Sequence, residues 1–455
     1  MALKTLFSCQ NCGYQSPKWL GRCPECQQWG TLIEEPVAII SDIVRQRSSG
    51  EITRTCPPQK LSDIKTDYLL RTSTGIGELD RILGGGLVEG CVLLVGGEPG
   101  IGKSTLMLQV SGMISRDRKV LYVSGEESVN QLKLRSERVK LAFNKFYIVN
   151  ETDVTRIISY IKEFKPYMVV VDSVQTLYSP EFSQSAGTVT QIKESASLLT
   201  AAAKALGVCV FFIGHITKEG IIAGPKILEH IVDSVIYFEG QRESGLRVLR
   251  AIKNRFGATD EVGIFSMDAE GLKEVKDPSN IFISRRQDPI PGSSTMSVIE
   301  GTRAILVEIQ ALVSASTYGM PRQRSMGFDP NRMSLLVAGL VKNIGVNLVN
   351  QDVFLNVVGG VRVDEPASDL AACVSICSSF QEKPVRRDTV IIGEVGLCSE
   401  VRGVSRINLR INEAKRMGYR RIVMPASDLE NASSVKDVEL AGVNSVAQAL
   451  GVVFI

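Results

Sequence analysis

Apolar residues gather in four short runs, 91–96, 119–124, 168–172 and 208–214, separated by amphipathic stretches at 103–115, 128–141 and 188–206. Runs of that length read as buried strands, and the longer periodic stretches between them read as helices. The alternation predicts an α/β unit whose mainly parallel sheet is covered by helices. Segments 234–239, 246–253 and 261–266 follow at short spacing and are expected as antiparallel strands appended to that sheet. Past a proline-bearing stretch at 277–296 the pattern changes. Strands around 304–314, 389–393 and 421–424 mix with helices around 329–342, 367–381 and 406–416, an α+β or α/β arrangement. The expected organisation is a small cysteine-bearing module at 1–33, a linker at 34–60, the α/β unit at 61–278, a second linker at 279–296 and a further domain at 297–455.

Length and composition narrow the classes. A chain of 455 residues exceeds one ordinary core, and 44% hydrophobic with 22% charged residues is the balance of a globular protein. No apolar run approaches the ~20 residues that span a bilayer, so a cytosolic protein with no membrane partner is expected. A net charge of +3 points to no polyanion by itself, and any nucleic acid must be met by local patches. The two histidines, His215 and His230, leave little material for histidine metal centres or acyl-transfer triads.

The chemistry concentrates at the strand ends. The first run leads into Gly97-Glu98-Pro99-Gly100-Ile101-Gly102-Lys103-Ser104-Thr105, a complete P-loop in the strand–turn–helix context that the pattern requires. Successive backbone N–H groups and a helix N-terminus there converge on one polyphosphate site. Lys103 is suited to the β- and γ-phosphates and Ser104 to Mg²⁺, so ATP with magnesium is the expected ligand. Asp172 ends the run YMVVVD as a Walker B carboxylate that holds the Mg²⁺ shell opposite Ser104. Glu126 and Glu127 follow KVLYVSG, and either can activate the attacking water or, alternatively, cap the helix that starts near Ser128. His215 closes GVCVFFIGH, where it either senses the γ-phosphate or is a hydrogen-bonded structural residue. In KNRFG, Lys253 and Arg255 end the run LRVLRAI, either as phosphate contacts or as a solvated basic turn.

Cys9 and Cys12 form one CxxC and Cys23 and Cys26 another, ten residues apart. Two such knuckles close a tetrahedral thiolate shell, so a structural Zn²⁺ is expected, with disulfides the competing reading. Lys18, Trp19, Arg22 and Trp29 decorate the module, as a base-stacking surface or as its core. The scattered cysteines Cys91, Cys209, Cys373 and Cys377 lie in apolar segments and read as small core residues.

STGIGELDRILGGGLVEGCVLLVGGEPGIGKST, followed by SGEES, VVVDS, GHITKEG and KNRFG, resembles the bacterial RadA (Sms) family, relatives of the RecA recombinase and of hexameric DnaB-type helicases. The resemblance spans essentially the whole chain. It implies a RecA-like P-loop core, an N-terminal zinc ribbon of four cysteines and a C-terminal domain similar to the proteolytic domain of Lon. By the same resemblance the protein is an ATP-driven motor of recombination and repair that drives branch migration. The implied partners are single-stranded and branched DNA and a recombinase of the RecA type, and the implied assembly is a homo-hexameric ring. In such a ring Lys253 and Arg255 look like fingers reaching the neighbour's γ-phosphate. Loops around 178–190 and 218–228 would touch DNA, with Lys218 and Lys226 the phosphate contacts. In the Lon-like segment Ala367 stands where that protease has its serine and Asn408 where it has its lysine, so an inactive scaffold is implied. Its Arg402, Arg406, Arg410, Arg420 and Arg421 are either DNA contacts or solvated helix charge. The rival readings are a KaiC-like regulatory ATPase ring that moves no DNA and, less well matched, an ATP-dependent protease.

Overall fold

A computed structural model describes residues 5–9, 14–16, 18–36, 60, 70–182, 184–215, 225–240, 245–259, 261–284, 288–316, 320–432 and 436–454. The chain divides into two compact units, Met1–Glu274 and Val275–Ile455.

In the first unit a small antiparallel sheet of Thr5–Cys9, Gln15–Ser16 and Leu32–Pro36 forms the ribbon. Its interior holds Cys9, Cys23 and Leu32, with Phe7, Tyr14, Leu20 and Cys26 packed partly buried against them.

The larger part of this unit is a nine-stranded sheet. Its strands are β1 (Val92–Gly97), β2 (Val120–Ser124), β3 (Phe146–Asn150), β4 (Met168–Asp172), β5 (Cys209–His215), β6 (Ser234–Glu239), β7 (Leu246–Asn254), β8 (Val262–Asp268) and β9 (Gly271–Glu274). They lie in the order β9-β8-β7-β6-β1-β5-β4-β2-β3. Helices α1 (Lys103–Ile114), α2 (Val129–Arg138), α3 (Val154–Phe164) and α4 (Val189–Leu206) connect them. Both faces of the sheet are covered, as the unbroken apolar character of its strands requires. Leu93, Val95, Tyr122, Val170 and Phe211 pack under Leu106, Met107 and Val110 of α1. Val92, Leu94, Val171, Val210 and Phe212 pack under Ile157 and Ile161 of α3 and Leu199 of α4.

Two expectations need correction. β6 runs parallel to β1, so the antiparallel extension begins only at β7. Residues 216–233 between β5 and β6 include a helical segment, Pro225–Glu229, and are long enough for a crossover, whereas the connection from β6 to β7 allows only a hairpin. The pair β3 and α3 was not anticipated; it adds a sixth parallel strand at the edge.

The second unit is built on a seven-stranded sheet of β10 (Ser293–Glu300), β11 (Arg303–Ala315), β12 (Gln323–Met326), β13 (Gln351–Val357), β14 (Thr389–Ile391), β15 (Arg421–Pro425) and β16 (Glu439–Val443). Their order is β12-β13-β11-β10-β14-β15-β16. Helix α5 (Asp369–Gln381), apolar nearly all round, is buried in this unit, and α6 (Ile407–Arg416) presents Ile407, Ile411 and Ala414 to the core. The stretch 279–296, expected as a linker, carries the helical turn Ser279–Phe282 and the start of β10. Among the described residues no helix is long and apolar enough to cross a membrane.

Candidate nucleotide and metal sites

Because β1, β2, β4 and β5 are parallel, their C-terminal ends open on one edge of the sheet. In register His215 stands beside Gly97, and Ser124 and Ile213 beside Asp172. The predicted residues Gly97, Lys103, Glu126, Asp172 and His215 are therefore brought together from four strand ends by topology alone.

Residues Gly97 to Gly102 wrap the end of β1 onto α1. Gly100 (φ 75°) and Gly102 (φ 121°) take up left-handed backbone that a Cβ would strain. Lys103 is 3% exposed and donates through Nζ to the carbonyl oxygens of Gly97 at 2.8 Å and Glu98 at 2.9 Å. Burial lowers its pKa to about 8, against the opposing pull of Asp172, Glu126 and Glu98. A buried cation held by carbonyls alone, inside a turn of amide groups, fits an incoming triphosphate. Ser104 and Thr105 open the helix behind it, both partly exposed.

Asp172 is 7% exposed, and its Oδ2 accepts a 2.6 Å hydrogen bond from the hydroxyl of Tyr122, a fully buried side chain that the sequence reading overlooked. Tyr122 lies level with Val170 on the neighbouring strand, two residues short of Asp172 and on the same face. Two residues of strand are about 6.6 Å, the reach of a tyrosine side chain. Glu126 accepts from the hydroxyl of Ser173 and lies 3.6 Å from His215 Nε2. Glu127 turns away to pair with Arg135 on α2. Neither glutamate caps α2: Ser128 does so, in a capping box with Gln131.

Lys253 and Arg255 are not at this edge. Lys253 is level with Val235, itself level with Leu94, three residues from Gly97, about 10 Å back along the sheet. Its Nζ donates to the carbonyl oxygens of Glu229 at 2.6 Å and Val232 at 2.8 Å. Arg255 donates to Asp233 at 3.2 Å. The segment is no loosely solvated turn. Asn254 accepts from Ser234 and donates to the Ile82 carbonyl, and a Cβ on Gly257 would lie 2.9 Å from Asn254 Nδ2 and 3.0 Å from the Gly84 Cα. Lys218 lies outside the described residues; Lys226 lies in Pro225–Glu229, and its side chain is likewise outside them.

In the ribbon the sulfurs of Cys9, Cys23 and Cys26 lie within 4.8 Å of one another, Cys9 and Cys26 at 3.6 Å. Ligands about 2.3 Å from a tetrahedral zinc are about 3.8 Å apart, so the three sulfurs fit one face of that shell. Cys12 lies outside the described residues. Trp19 and Trp29 are exposed, which removes them from the ribbon's core. Cys91, Cys209, Cys373 and Cys377 are buried, as core cysteines should be.

In the second unit Ala367 is 2% exposed, Ser368 is fully buried and donates to the Glu365 carbonyl at 2.6 Å, and Asn408 donates to the Asn431 carbonyl at 3.1 Å. Arg410 cannot meet DNA: it is fully buried, paired with Glu365 and donating to the Ser297 carbonyl. Arg402 pairs with Glu400, and Arg421, its side chain 13% exposed, pairs with Glu439.

Three family models match: a rubredoxin metal-binding domain of the LapB zinc-ribbon type at residues 7–34, the KaiC ATPase at 72–151, and the ChlI subunit of Mg-chelatase at 332–428. The DNA repair protein RadA of Bacillus subtilis (strain 168) is 48% identical over 98% of this chain and 98% of its own length. The chain belongs to the RadA family of DNA repair proteins. RadA proteins of Halalkalibacterium halodurans and Streptococcus pyogenes serotype M1 are each 46% identical over 99% of the chain, covering 98% and 99% of their own lengths. Two solved structures each match with 99% of their own length. A KaiC-like protein of Pyrococcus horikoshii OT3 covers 46% of this chain at TM-score 0.39 and 21% identity, and the RadB recombinase covers 45% at 0.37 and 25%. As a RadA-family member the protein is a RecA-like ATPase of DNA repair and recombination, with ATP and Mg²⁺ as ligands of the first unit and Zn²⁺ as the ion of its ribbon.

Proposed function

We propose that this chain is a DNA-dependent ATPase of helicase type that drives branch migration of recombination intermediates, acting as a homo-hexameric ring on single-stranded and branched DNA beside a RecA-type recombinase. The observation that carries the reading is the separation of the charged groups. Lys103, Glu126 and Asp172 occupy one edge of the sheet, while Lys253 and Arg255 are fixed further back, out of reach of their own phosphate loop. Cations so placed suit the γ-phosphate of an adjoining subunit, which makes turnover a property of the assembly.

In this reading the amides of Gly97–Thr105 and the Lys103 ammonium bind the triphosphate, and Ser104 and Asp172 hold Mg²⁺. The metal supplies charge neutralisation on the β- and γ-phosphates. Tyr122 fixes one carboxylate oxygen of Asp172 and leaves the other to the metal's shell. Glu126, oriented by Ser173 and His215, takes the proton of the attacking water. His215, 3.6 Å from Glu126 and level with Gly97, registers the γ-phosphate in this reading, which that position supports. Lys218 and Lys226 belong to segments assigned to DNA in the channel. The second unit serves as a scaffold without peptidase chemistry, in keeping with Ala367 and Asn408.

The test is the ATPase rate with and without single-stranded DNA, together with movement of a labelled three-strand junction. Stimulation and strand movement, both lost in Lys103→Ala, are expected. Turnover indifferent to DNA, with a static junction, would transfer the assignment to a regulatory ring.

A further inference from the structure

Both tryptophans of the chain stand on the zinc ribbon, and both face solvent, Trp19 at 60% and Trp29 at 75% exposure. Indoles are among the side chains most strongly drawn out of water, so two exposed ones on so small a module call for a partner.

They are held in place. A bridge pairs Arg22 with Trp29, and Gly30 donates to the Gly21 carbonyl at 2.8 Å, closing the chain across the Cys23–Cys26 knuckle. A Cβ on Gly21 would find Trp19 Cη2 and Trp29 Cζ3 each 3.6 Å away, so the two six-membered rings flank one glycine. The Arg22 guanidinium lies 5.9 Å from the Trp29 ring centroid, its plane set by hydrogen bonds to Gln27. Lys18 is exposed next to Trp19 in sequence.

We propose that Trp19 and Trp29 form a stacking platform for unpaired bases of single-stranded DNA, with Arg22 and Lys18 meeting the backbone phosphates. The proposal rests on the reading of the chain as a motor on single-stranded DNA. The surroundings decide the kind of partner. An aromatic anchor for a protein is ringed by groups that exclude water, whereas here Arg22 lies over Trp29 and the adjoining residues of the chain, Lys18, Gln27 and Gln28, are exposed and polar, which suits phosphates and base edges. Because the bridge that seats Trp29 spans the Cys23–Cys26 knuckle, zinc sets the spacing of the platform.

With no other tryptophan in the sequence, intrinsic indole emission reports on this module alone. The zinc-loaded full chain is titrated with oligo-dT while the anisotropy of a dye-labelled oligo-dT is followed in parallel. Emission should be quenched in step with anisotropy. Trp19→Ala and Trp29→Ala should each weaken oligo-dT binding roughly tenfold, with zinc content and melting temperature held, and Trp29→Phe should restore most of the affinity. Rising anisotropy with unchanged emission, or parental affinity in both alanine variants, overturns the platform and leaves the functional reading standing. Absence of any anisotropy change removes both. Emission that responds to an added recombinase and not to oligo-dT would hand the surface to a protein and overturn the proposal.

Discussion

The two edges of the nine-stranded sheet carry similar charges and treat them differently. At the phosphate edge Lys103 is buried against carbonyl oxygens, with its carboxylate neighbours Asp172 and Glu126 held by the hydroxyls of Tyr122 and Ser173. At the opposite edge Arg255 and Lys204 converge on one carboxylate, Asp233, whose side chain is 5% exposed. Lys103 at the first edge is held by backbone carbonyls and faces an incoming anion; at the second, Arg255 and Lys204 have met their charge in Asp233, while Lys253 beside them bonds only to the carbonyls of Glu229 and Val232. Similar residue types are thus tied down or left with charge to spare according to whether their nearest acceptor is a carboxylate, as for Arg255 and Lys204, or backbone carbonyls, as for Lys103 and Lys253.

The sharpest way to break this contrast is Lys253→Ala. If the back edge serves a neighbour's transition state, the turnover number should fall by about 10³ or more while ATP still binds. Mixing that variant with an Asp172→Asn variant should restore part of the rate, because one interface then regains both groups. Mixtures that stay inactive at every ratio would return Lys253 to a structural role. Next in size is the pair of glutamates: Glu126→Gln should cost about 10²–10⁴ in turnover, whereas Glu127→Gln should leave it near the parental value. Equal losses would erase the distinction between a residue aimed at the site and one tied to Arg135.

A smaller effect follows from the lysine. With its pKa near 8, Lys103 is charged below that pH and must regain a proton to hold phosphate above it. Fluorescent-nucleotide affinity should therefore be flat up to about pH 8 and then fall by up to about tenfold per pH unit. A profile flat to about pH 9.5 would mean the cation is not the affinity determinant. Last is Tyr122→Phe, which keeps the ring packed against Phe146 and removes only the donor to Asp172. The Mg²⁺ needed for half-maximal turnover should rise about tenfold with little change in melting temperature, in line with about 1.5 kcal/mol, the low end for a lost hydrogen bond to a charged group. Unaltered Mg²⁺ dependence would make the contact incidental.

How far the sequence carried depends on the kind of feature. Gly97 to Thr105 and Asp172 were legible because strand ends and turn glycines are local signals. The strand Phe146–Asn150 was missed because an edge strand is only partly buried and alternates weakly. Its helix buries Val154, Ile157 and Ile161 at helical spacing, a pattern that was there to be read. Tyr122 could not be found from spacing, since its bond to Asp172 depends on the register of two strands about fifty residues apart in sequence. Glu126 and Glu127 were inseparable for a similar reason: adjacent residues diverge only once the turn after Ser124 is fixed. Arg410 looked like one more surface arginine, and its burial against Glu365 follows from packing that no helical pattern reports.

Asp233 also has a mechanical reading. Its carboxylate takes the Val92 N–H at 3.1 Å as well as the Arg255 guanidinium, and its own N–H donates to the Val92 carbonyl at 2.8 Å. The turn bearing Arg255 is thereby bolted to the root of β1, whose tip, at the far end of the strand, is Gly97. A push at that turn has one stiff strand of about 17 Å to cross before it arrives beneath the nucleotide.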